Sequence, residues 1–289
     1  MVGQSKQRVD GAAGLLRRIE GRHNPLVKEL RKSFAHGEAN DHSVCAIEGW
    51  RIVEEAIRSG LNFQAVFFSA SAEVRAGRLL PQLGAHVEKL LLPDNLFASA
   101  VPSDTPQGIA ALVRCRKFTM ADVLARSNNG PALAIAGVQD PGNLGTIVRS
   151  AEAFEAAGLL LGEGTVSPFN WKTVRASAGS VFRMPLIHLH LPEVLDQLRE
   201  RGLRLVATSS HKGTPLNQAT LNGPLAILIG SEGAGLSRDL LKQMDEILAI
   251  PQSPMVESLN AGVAASIVLY EVARQRSQFT TESPSHAEM

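Results

Sequence analysis

The sequence contains few cysteines, few aromatic side chains and no long apolar run, and each shortage excludes a class of protein. Its 289 residues include two cysteines, Cys45 and Cys115, too few for a disulfide framework or a four-thiolate zinc site. Apolar stretches such as Pro131 to Val138 are far shorter than the roughly 20 residues that span a bilayer. The opening MVGQSKQRVD lacks the apolar core of a signal peptide. We therefore expect a cytoplasmic protein without a membrane partner.

The charge of the chain is unevenly distributed. The formal net charge is +1, but the first 32 residues carry eight Lys and Arg against three Asp and Glu. A basic leading segment suits a polyanion such as RNA, because neutralising phosphates releases counterions. On charge alone, a solvated helix with an ordinary surplus of cations is the favoured interpretation. Aromatic residues make up 4% of the chain, which argues against a base-stacking platform for single strands.

Short strands and helices alternate through the first part of the chain. Asn24-Pro25 predicts the start of a helix that runs to about Phe34. A second helix is predicted at 50–59, and strands at 43–47, 65–68 and 109–114. This alternation indicates a small α/β domain at residues 1–118, followed by a polar linker at 119–130.

The second part of the chain has a stronger α/β pattern. Continuous apolar strands are predicted at 132–138, 159–161, 203–207, 225–229 and 247–250. Helices are predicted at 146–157, 191–200 and 258–276. This pattern indicates a parallel sheet covered on both faces, in a domain at residues 131–276. Residues 277–289, rich in Ser, Thr, Pro and Glu, are expected to form a flexible tail.

Several familiar functional signatures are absent. The sequence has no phosphate-binding loop, no G-x-S-x-G nucleophile elbow and no H-E-x-x-H helix. Its histidines have no metal-ligand spacing, so we expect no metal site, and a structural or solvent-facing role is favoured for His188 and His190. The missing G-x-G-x-x-G disfavours a dinucleotide-dependent oxidoreductase. The candidate sites that remain are three strand-to-helix junctions, because ligands gather outside the carboxyl ends of parallel strands.

The first junction combines turn-forming and polar residues. Pro141, Gly142 and Gly145 are expected to shape a tight turn after a buried strand. Asn143 and Arg149 bring polar groups to the same place, with Arg149 on the first turn or two of the following helix. A guanidinium suits a phosphate or a developing oxyanion. A plain loop with an exposed arginine remains an equal alternative.

The second junction is rich in glycine. Gly230, Gly233 and Gly235 allow a ligand close to the backbone and are expected to take positive φ angles. Glu232, among them, is ill suited to phosphate but suits a cationic or hydroxyl-bearing ligand. A structural turn without a ligand is the alternative.

The third junction leads into the final helix. Ser258 is expected to cap that helix and Asn260 to lie in its first turn, ahead of an apolar helix face. A helix cap followed by core residues is the plainer interpretation, and Asn260 is the residue that it explains least well.

Together, the three junctions resemble the motifs of the SpoU/TrmH family of RNA 2′-O-methyltransferases, members of the SPOUT class. The matching segments, in the family's order and spacing, are DPGNLGTIVRSA (140–151), IGSEGAGLS (229–237) and IPQSPMVESLNAGVAASIVLYE (250–271). The resemblance covers about residues 131–276. The N-terminal half is similar, more loosely, to a small ribosomal-protein-like substrate-binding domain, through NPLVKELR (24–31) and IEGWRIVEE (47–55).

The resemblance implies an α/β fold with a deep trefoil knot in the C-terminal domain and a smaller N-terminal α/β domain that binds substrate. It also implies a homodimer that packs its knots together. S-adenosylmethionine would bind in the knot, held largely by main-chain groups. The positions that match the family's cofactor site are Thr208, Gly230, Ile250 and Leu259.

The implied reaction is attack of a ribose 2′-oxygen on the methyl group of the sulfonium. The family's candidate for activating the hydroxyl matches Arg149, but arginine side chains stay protonated at accessible pH. We therefore expect Arg149 to stabilise the alkoxide or hold the adjacent phosphate. The remaining candidates, expected to orient the ribose and the methionine end, are Asn143, Glu232, Ser258 and Asn260. No metal is expected, because the positive sulfur already activates the leaving group.

The substrate and one alternative function remain open at this point. The added N-terminal domain favours ribosomal RNA as the substrate, with transfer RNA second and no DNA partner. The alternative from another class is a non-catalytic RNA-binding or assembly factor with the same fold. Retention of all the candidate polar residues argues against that alternative.

Overall fold

The computed structural model of the chain describes residues 16–37, 44–210, 212–231, 233 and 235–276. The basic residues before position 16, Glu232 and the expected tail at 277–289 lie outside these described residues. The chain divides into two compact units. The first runs to Arg116 and also takes in Phe169–Phe182; the second comprises Lys117–Pro168 and the chain from Arg183 onward.

The helices and strands of both units are numbered in chain order. The strands are β1 (Arg17–Arg18), β2 (Val44–Glu48), β3 (Asn62–Ser69), β4 (Glu88–Leu92), β5 (Ile109–Arg114), β6 (Ala132–Ala136), β7 (Gly158–Leu161), β8 (Leu186–His188), β9 (Arg204–Ser209), β10 (Thr214–Pro215), β11 (Leu225–Gly230) and β12 (Glu246–Ala249). The helices are α1 (Pro25–His36), α2 (Trp50–Arg58), α3 (Glu73–Ala76), α4 (Asp94–Ala98), α5 (Met120–Arg126), α6 (Pro141–Ala153), α7 (Trp171–Ala176), α8 (Leu191–Glu200), α9 (Arg238–Leu241) and α10 (Ala261–Gln275).

A mixed sheet organises the described part of the first unit, with strand order β1-β4-β3-β5-β2. β3 is parallel to β4 and antiparallel to β5, which in turn is antiparallel to β2. α1 starts where the sequence predicts, because the side chain of Asn24 accepts the Leu26 N–H at 2.9 Å and Pro25 has no N–H that needs an acceptor. The buried side chains of Leu30, Phe67 and Phe97 belong to one core. The predicted fold class, with a smaller N-terminal α/β unit, is confirmed.

A parallel sheet organises the second unit. Its strand order within the described residues is β10-β12-β9-β11-β6-β7-β8, and every pairing is parallel. Ala134, Leu160 and Leu228 pack with α8 in one buried cluster. Leu133 and Ile227, which alternate with these residues and therefore point to the other face, are also fully buried. The sheet is thus covered on both faces, as predicted, whereas the expected knot stays a prediction.

Parallel pairing places the carboxyl ends of all these strands along one edge of the sheet. Strands β6, β9, β11 and β12 lie side by side in the middle of the order and end at residues 136, 209, 230 and 249. The three junctions selected from the sequence follow β6, β11 and β12. The fold therefore gathers the three junctions at one edge.

The linker and the start of the final helix differ from the sequence prediction. The expected linker at 119–130 contains α5, which a capping box starts: Asp122 Oδ2 accepts the Thr119 N–H at 2.7 Å and the Thr119 hydroxyl at 2.8 Å. Val123 of this helix is fully buried in the core of the second unit. The final helix, predicted from Ser258, begins at Ala261.

The described residues contain neither a helix that could span a membrane nor a cluster of metal-binding side chains. None of their helices combines the length and apolar character needed to cross a membrane. Within the same ranges, no group of three or more His, Cys, Asp or Glu side chains could hold a metal ion.

Candidate active site

The first junction is a helix start rather than the expected tight turn. Asp140 caps α6, since its Oδ1 accepts the Asn143 N–H at 2.8 Å. Pro141 takes the first helical position, and Gly142 and Gly145 are helical as well. The proline and the capping carboxylate together start the helix soon after β6, so the motif's polar residues project from a regular helix.

Arg149 lies on the third turn of α6, one turn further along than expected. Leu144, Ile147 and Val148 are fully buried, whereas Arg149 is exposed. It makes no hydrogen bond or ion pair with any residue in the described ranges. Its guanidinium therefore keeps all its donors available for a ligand.

Direct side-chain contacts join the first and third motifs. Asn260 is itself the cap of α10, with its Oδ1 accepting the Val263 N–H at 3.2 Å. Its Nδ2 donates to Asn143 Oδ1 at 2.7 Å. About two turns after these asparagines, the hydroxyls of Ser150 and Ser266 are 2.7 Å apart. Asn260, which the cap-and-core interpretation explained least well, thus has two partners, and Ser258 does not cap the helix.

A cavity of about 600 Å³ opens beside this helix pair. Segments that follow three neighbouring strands line it: residues 208–210 at the end of β9, 229–231 at the end of β11, and the chain after β12. The lining includes all four predicted cofactor positions and one predicted polar residue: Thr208, Gly230, Ile250, Leu259 and Ser258. Its volume lies within the roughly 300–1,000 Å³ typical of small-molecule sites.

The glycine-rich loop is shaped by backbone contact more than by positive φ angles. Gly235 has φ 63°, whereas Gly230 and Gly233 have no positive φ, contrary to expectation. A Cβ on Gly230 would lie 2.5 Å from the Gly235 carbonyl carbon, so the two backbones touch. The Gly235 N–H donates to the Ser231 carbonyl at 3.0 Å. This tight turn forms one wall of the cavity.

Three of the predicted site residues do not line the cavity, and five polar residues that were not predicted do line it. Asn143, Arg149 and Asn260 are not among its lining residues, although Ala261, next to Asn260, is. The omitted polar residues that line it are Ser209, Ser210, Ser231, Gln252 and Glu257. Gln252 Nε2 donates to the Ser210 carbonyl at 3.2 Å, and this bond links the segments that follow β9 and β12. The sequence did offer a signal for these omitted residues, because they lie at or after the ends of predicted apolar strands, where ligands gather.

Comparison with known proteins identifies the family. The family model described as "SpoU rRNA Methylase family" matches residues 131–270, and an "MRM3-like substrate binding domain" model matches residues 24–111. The chain is 32% identical to 23S rRNA (guanosine(2553)-2′-O)-methyltransferase RlmP of Bacillus subtilis over 257 residues, which is 89% of this chain and 99% of that protein. The chain belongs to the SpoU rRNA methylase family.

Solved structures of similar SpoU proteins share both units. The S-adenosylmethionine-bound rRNA methyltransferase of Sinorhizobium meliloti superimposes with a TM-score of 0.76 at 27% identity, over 90% of this chain and 98% of that one. The SpoU methyltransferase AviRb of Streptomyces viridochromogenes, in complex with the same cofactor, has a TM-score of 0.76 at 26% identity, over 88% and 98%. These matches confirm the predicted family and fold class.

Proposed function

We propose that this SpoU protein is an S-adenosylmethionine-dependent methyltransferase that modifies a ribose 2′-hydroxyl of ribosomal RNA. The observation that carries the proposal is the Asn143–Asn260 hydrogen bond, which joins the first and third motifs beside the cavity. The likeness to RlmP, whose name specifies 23S rRNA, favours ribosomal over transfer RNA. We place the activity in the cytoplasm and assign RNA binding to the N-terminal unit.

The residues around the cavity fit the cofactor that the family implies. Much of the lining consists of residues at or just after strand ends, and an added Cβ on Gly233 would meet open space rather than protein. When bound there, the cofactor supplies a methyl group on a positively charged sulfur. Thr208, Gly230, Ile250 and Leu259 would hold it, and Thr208 is itself fixed by donating its hydroxyl to the Leu228 carbonyl at 3.2 Å.

The polar residues on α6 and α10 would act on the ribose. Asn143 and Asn260 orient each other, so both amide groups are held in fixed directions. Arg149 would place positive charge where the 2′-oxygen becomes negative, or hold the adjacent phosphate. The proton would leave through that phosphate or water. Ser258 and Glu232 complete the proposed set that orients the ribose and the methionine end.

Methyl transfer from tritiated S-adenosylmethionine tests this function. We expect purified protein to label unmodified ribosomal RNA, and the label to survive alkali, because a 2′-O-methyl group blocks hydrolysis at that position. A parallel pool of unmodified transfer RNA should stay unlabelled. Cofactor binding without label in either RNA pool or in ribosomal subunits would instead favour a non-catalytic assembly factor.

We further propose that the protein acts as a homodimer through α10. Val263, Ile267 and Tyr270 lie along one side of this helix and are 45%, 36% and 50% exposed. Tyr270 stacks edge-on with Phe154, the ring centroids being 5.9 Å apart. A stripe of large apolar side chains on a helix is a common protein-interaction surface.

Ile267→Glu is expected to convert the dimer to a monomer, because the interface would have to bury an unpaired carboxylate. Sedimentation equilibrium should give twice the chain mass for the wild type and the single mass for the variant. Val74→Glu is the matched control, since Val74 is 93% exposed and lies on α3 of the first unit. A wild-type monomer at all concentrations would contradict the dimer.

A further inference from the structure

A segment of the SpoU-matched region belongs to the other unit. Phe169–Phe182 groups with the first unit, although β7 and β8, on either side of it in the sequence, pair within the sheet of the second. The segment contains α7, whose cap Asn170 accepts the Lys172 N–H at 3.0 Å. Trp171 packs against the core of the first unit, and Thr173 and Val174 are buried. One side of α7 is therefore fixed in that unit.

The outer side of α7 carries two exposed cations, Lys172 and Arg175. They are three residues apart on the helix, so their Cβ atoms lie about 5–6 Å from each other on one face. Lys172 also lies over the Trp171 ring, with its Nζ 5.6 Å from the ring centroid. Neither cation forms an ion pair with a residue that the structure describes.

Glu48, at the end of β2, is the acidic group that acts on Arg175. Burial raises the pKa of Glu48, and hydrogen bonds from the Ser103 hydroxyl and the Gln107 main chain oppose this rise. The positive charge of Arg175 also opposes the rise in pKa, so Glu48 is a nearby acid. The two side chains form no ion pair in the described residues, and Arg175 is exposed.

The surrounding sequence reinforces this positive charge. No Asp or Glu occurs from Gly164 to Pro192. Three exposed arginines elsewhere in the first unit are, by contrast, held in ion pairs: Arg17 with Glu88 at 2.8 Å, Arg18 with Glu73 at 3.3 Å and Arg58 with Glu55 at 3.0 Å. Lys172 and Arg175 differ from these three arginines because neither is held in an ion pair with a described residue.

We propose that Lys172 and Arg175 form a phosphate-binding face that holds neighbouring phosphates of the RNA backbone, an inference that rests on the proposed function. Lys172 offers a point charge and Arg175 a planar fork of donors, and both suit phosphate oxygens. Contacts of this kind fix the register of the RNA without reading its sequence. The SpoU-matched part of the chain thus contributes directly to substrate binding in the other unit.

The salt dependence of RNA binding tests the proposal. The dissociation constant of the full-length protein for an unmodified 23S rRNA transcript is measured from about 50 to about 200 mM salt. Each phosphate contact makes the slope of log affinity against log salt steeper by about 0.7–0.9. Near 0.1 M salt, losing one such contact weakens binding about five- to eightfold. We expect Lys172→Ala/Arg175→Ala to lower the slope by about 1.5 and to weaken binding about 30-fold.

Arg58→Ala is the matched control, because it removes an exposed positive charge of the same unit that Glu54 and Glu55 already neutralise. Its slope should equal that of the wild type. Lys172→Arg/Arg175→Lys keeps both charges and should retain the slope, which separates phosphate binding from helix packing. A double-alanine slope equal to that of Arg58→Ala, or a slope lost in the charge-conserving variant, would overturn the proposal.

Failure of the proposed function and failure of the phosphate-binding face give different results. S-adenosylmethionine affinity should be equal in the wild type and the double-alanine variant, because α7 lies outside the residues that line the cavity. If the wild type transfers no methyl group yet the slope difference persists, the phosphate face stands and the enzymatic activity fails. If methyl transfer is normal and the slopes are equal, the activity stands and the phosphate face fails.

Discussion

Arg149→Ala is expected to lower the rate of methyl transfer about 100- to 1,000-fold, the usual cost of removing one donor that stabilises developing negative charge. S-adenosylmethionine affinity should be unchanged, because Arg149 is not among the residues that line the cavity. Folding should also be unchanged, since the side chain is exposed and without an ion pair in the described residues. Single-turnover kinetics with ribosomal RNA, together with calorimetric cofactor binding, measure these effects.

The pH profile distinguishes the possible roles of this arginine. If Arg149 supplies charge rather than accepting the proton, Arg149→Ala should lower the rate equally across the pH range and leave the shape of the profile intact. Arg149→Lys should recover part of the rate, because it restores the charge without the planar fork. Arg126→Ala, which removes an exposed arginine at the end of α5, is the control and should retain full activity. A change in profile shape would instead support a proton-transfer role.

Gly230→Ala should disrupt both the cavity and the stability of the second unit. The new Cβ would lie 2.5 Å from the Gly235 carbonyl carbon and 2.8 Å from the Leu236 nitrogen, and both of these atoms are backbone. Overpacking of this kind costs about 1–3 kcal/mol in the free energy of unfolding. If the loop instead moves and relieves the strain, a similar free energy is lost from cofactor binding, and the affinity falls about 5- to 150-fold.

Gly233→Ala is the matched control for the stability effect. A Cβ at Gly233 meets no atom within 4 Å, and this residue has no positive φ. Its free energy of unfolding should therefore stay within about 0.5 kcal/mol of the wild type. Urea denaturation measures both variants, and equal stability for the two would show that backbone contact at Gly230 does not constrain the loop.

Local sequence patterns predicted most elements, because those elements are decided by short-range chemistry. The Asn24-Pro25 cap and the run Ile109–Arg114 correctly predicted α1 and β5. α5 was instead assigned to a linker, since its Thr119–Asp122 capping box lay within a polar stretch. β4 was omitted, although its short apolar run, Leu90–Leu92, is like the run at 159–161 that was predicted as a strand. α6 was placed too late because its glycines suggested a turn.

Motif order and apolar periodicity can be read from the chain before it folds, and they were enough to predict the family, the parallel sheet and the three polar junctions. The tertiary structure decided which residues meet. Asn143 and Asn260 are 117 positions apart, and their contact depends on two helices that start at the same edge of one sheet. The placement of α7 in the first unit is likewise decided by packing of Trp171 against a distant core, which no periodicity within residues 169–182 encodes.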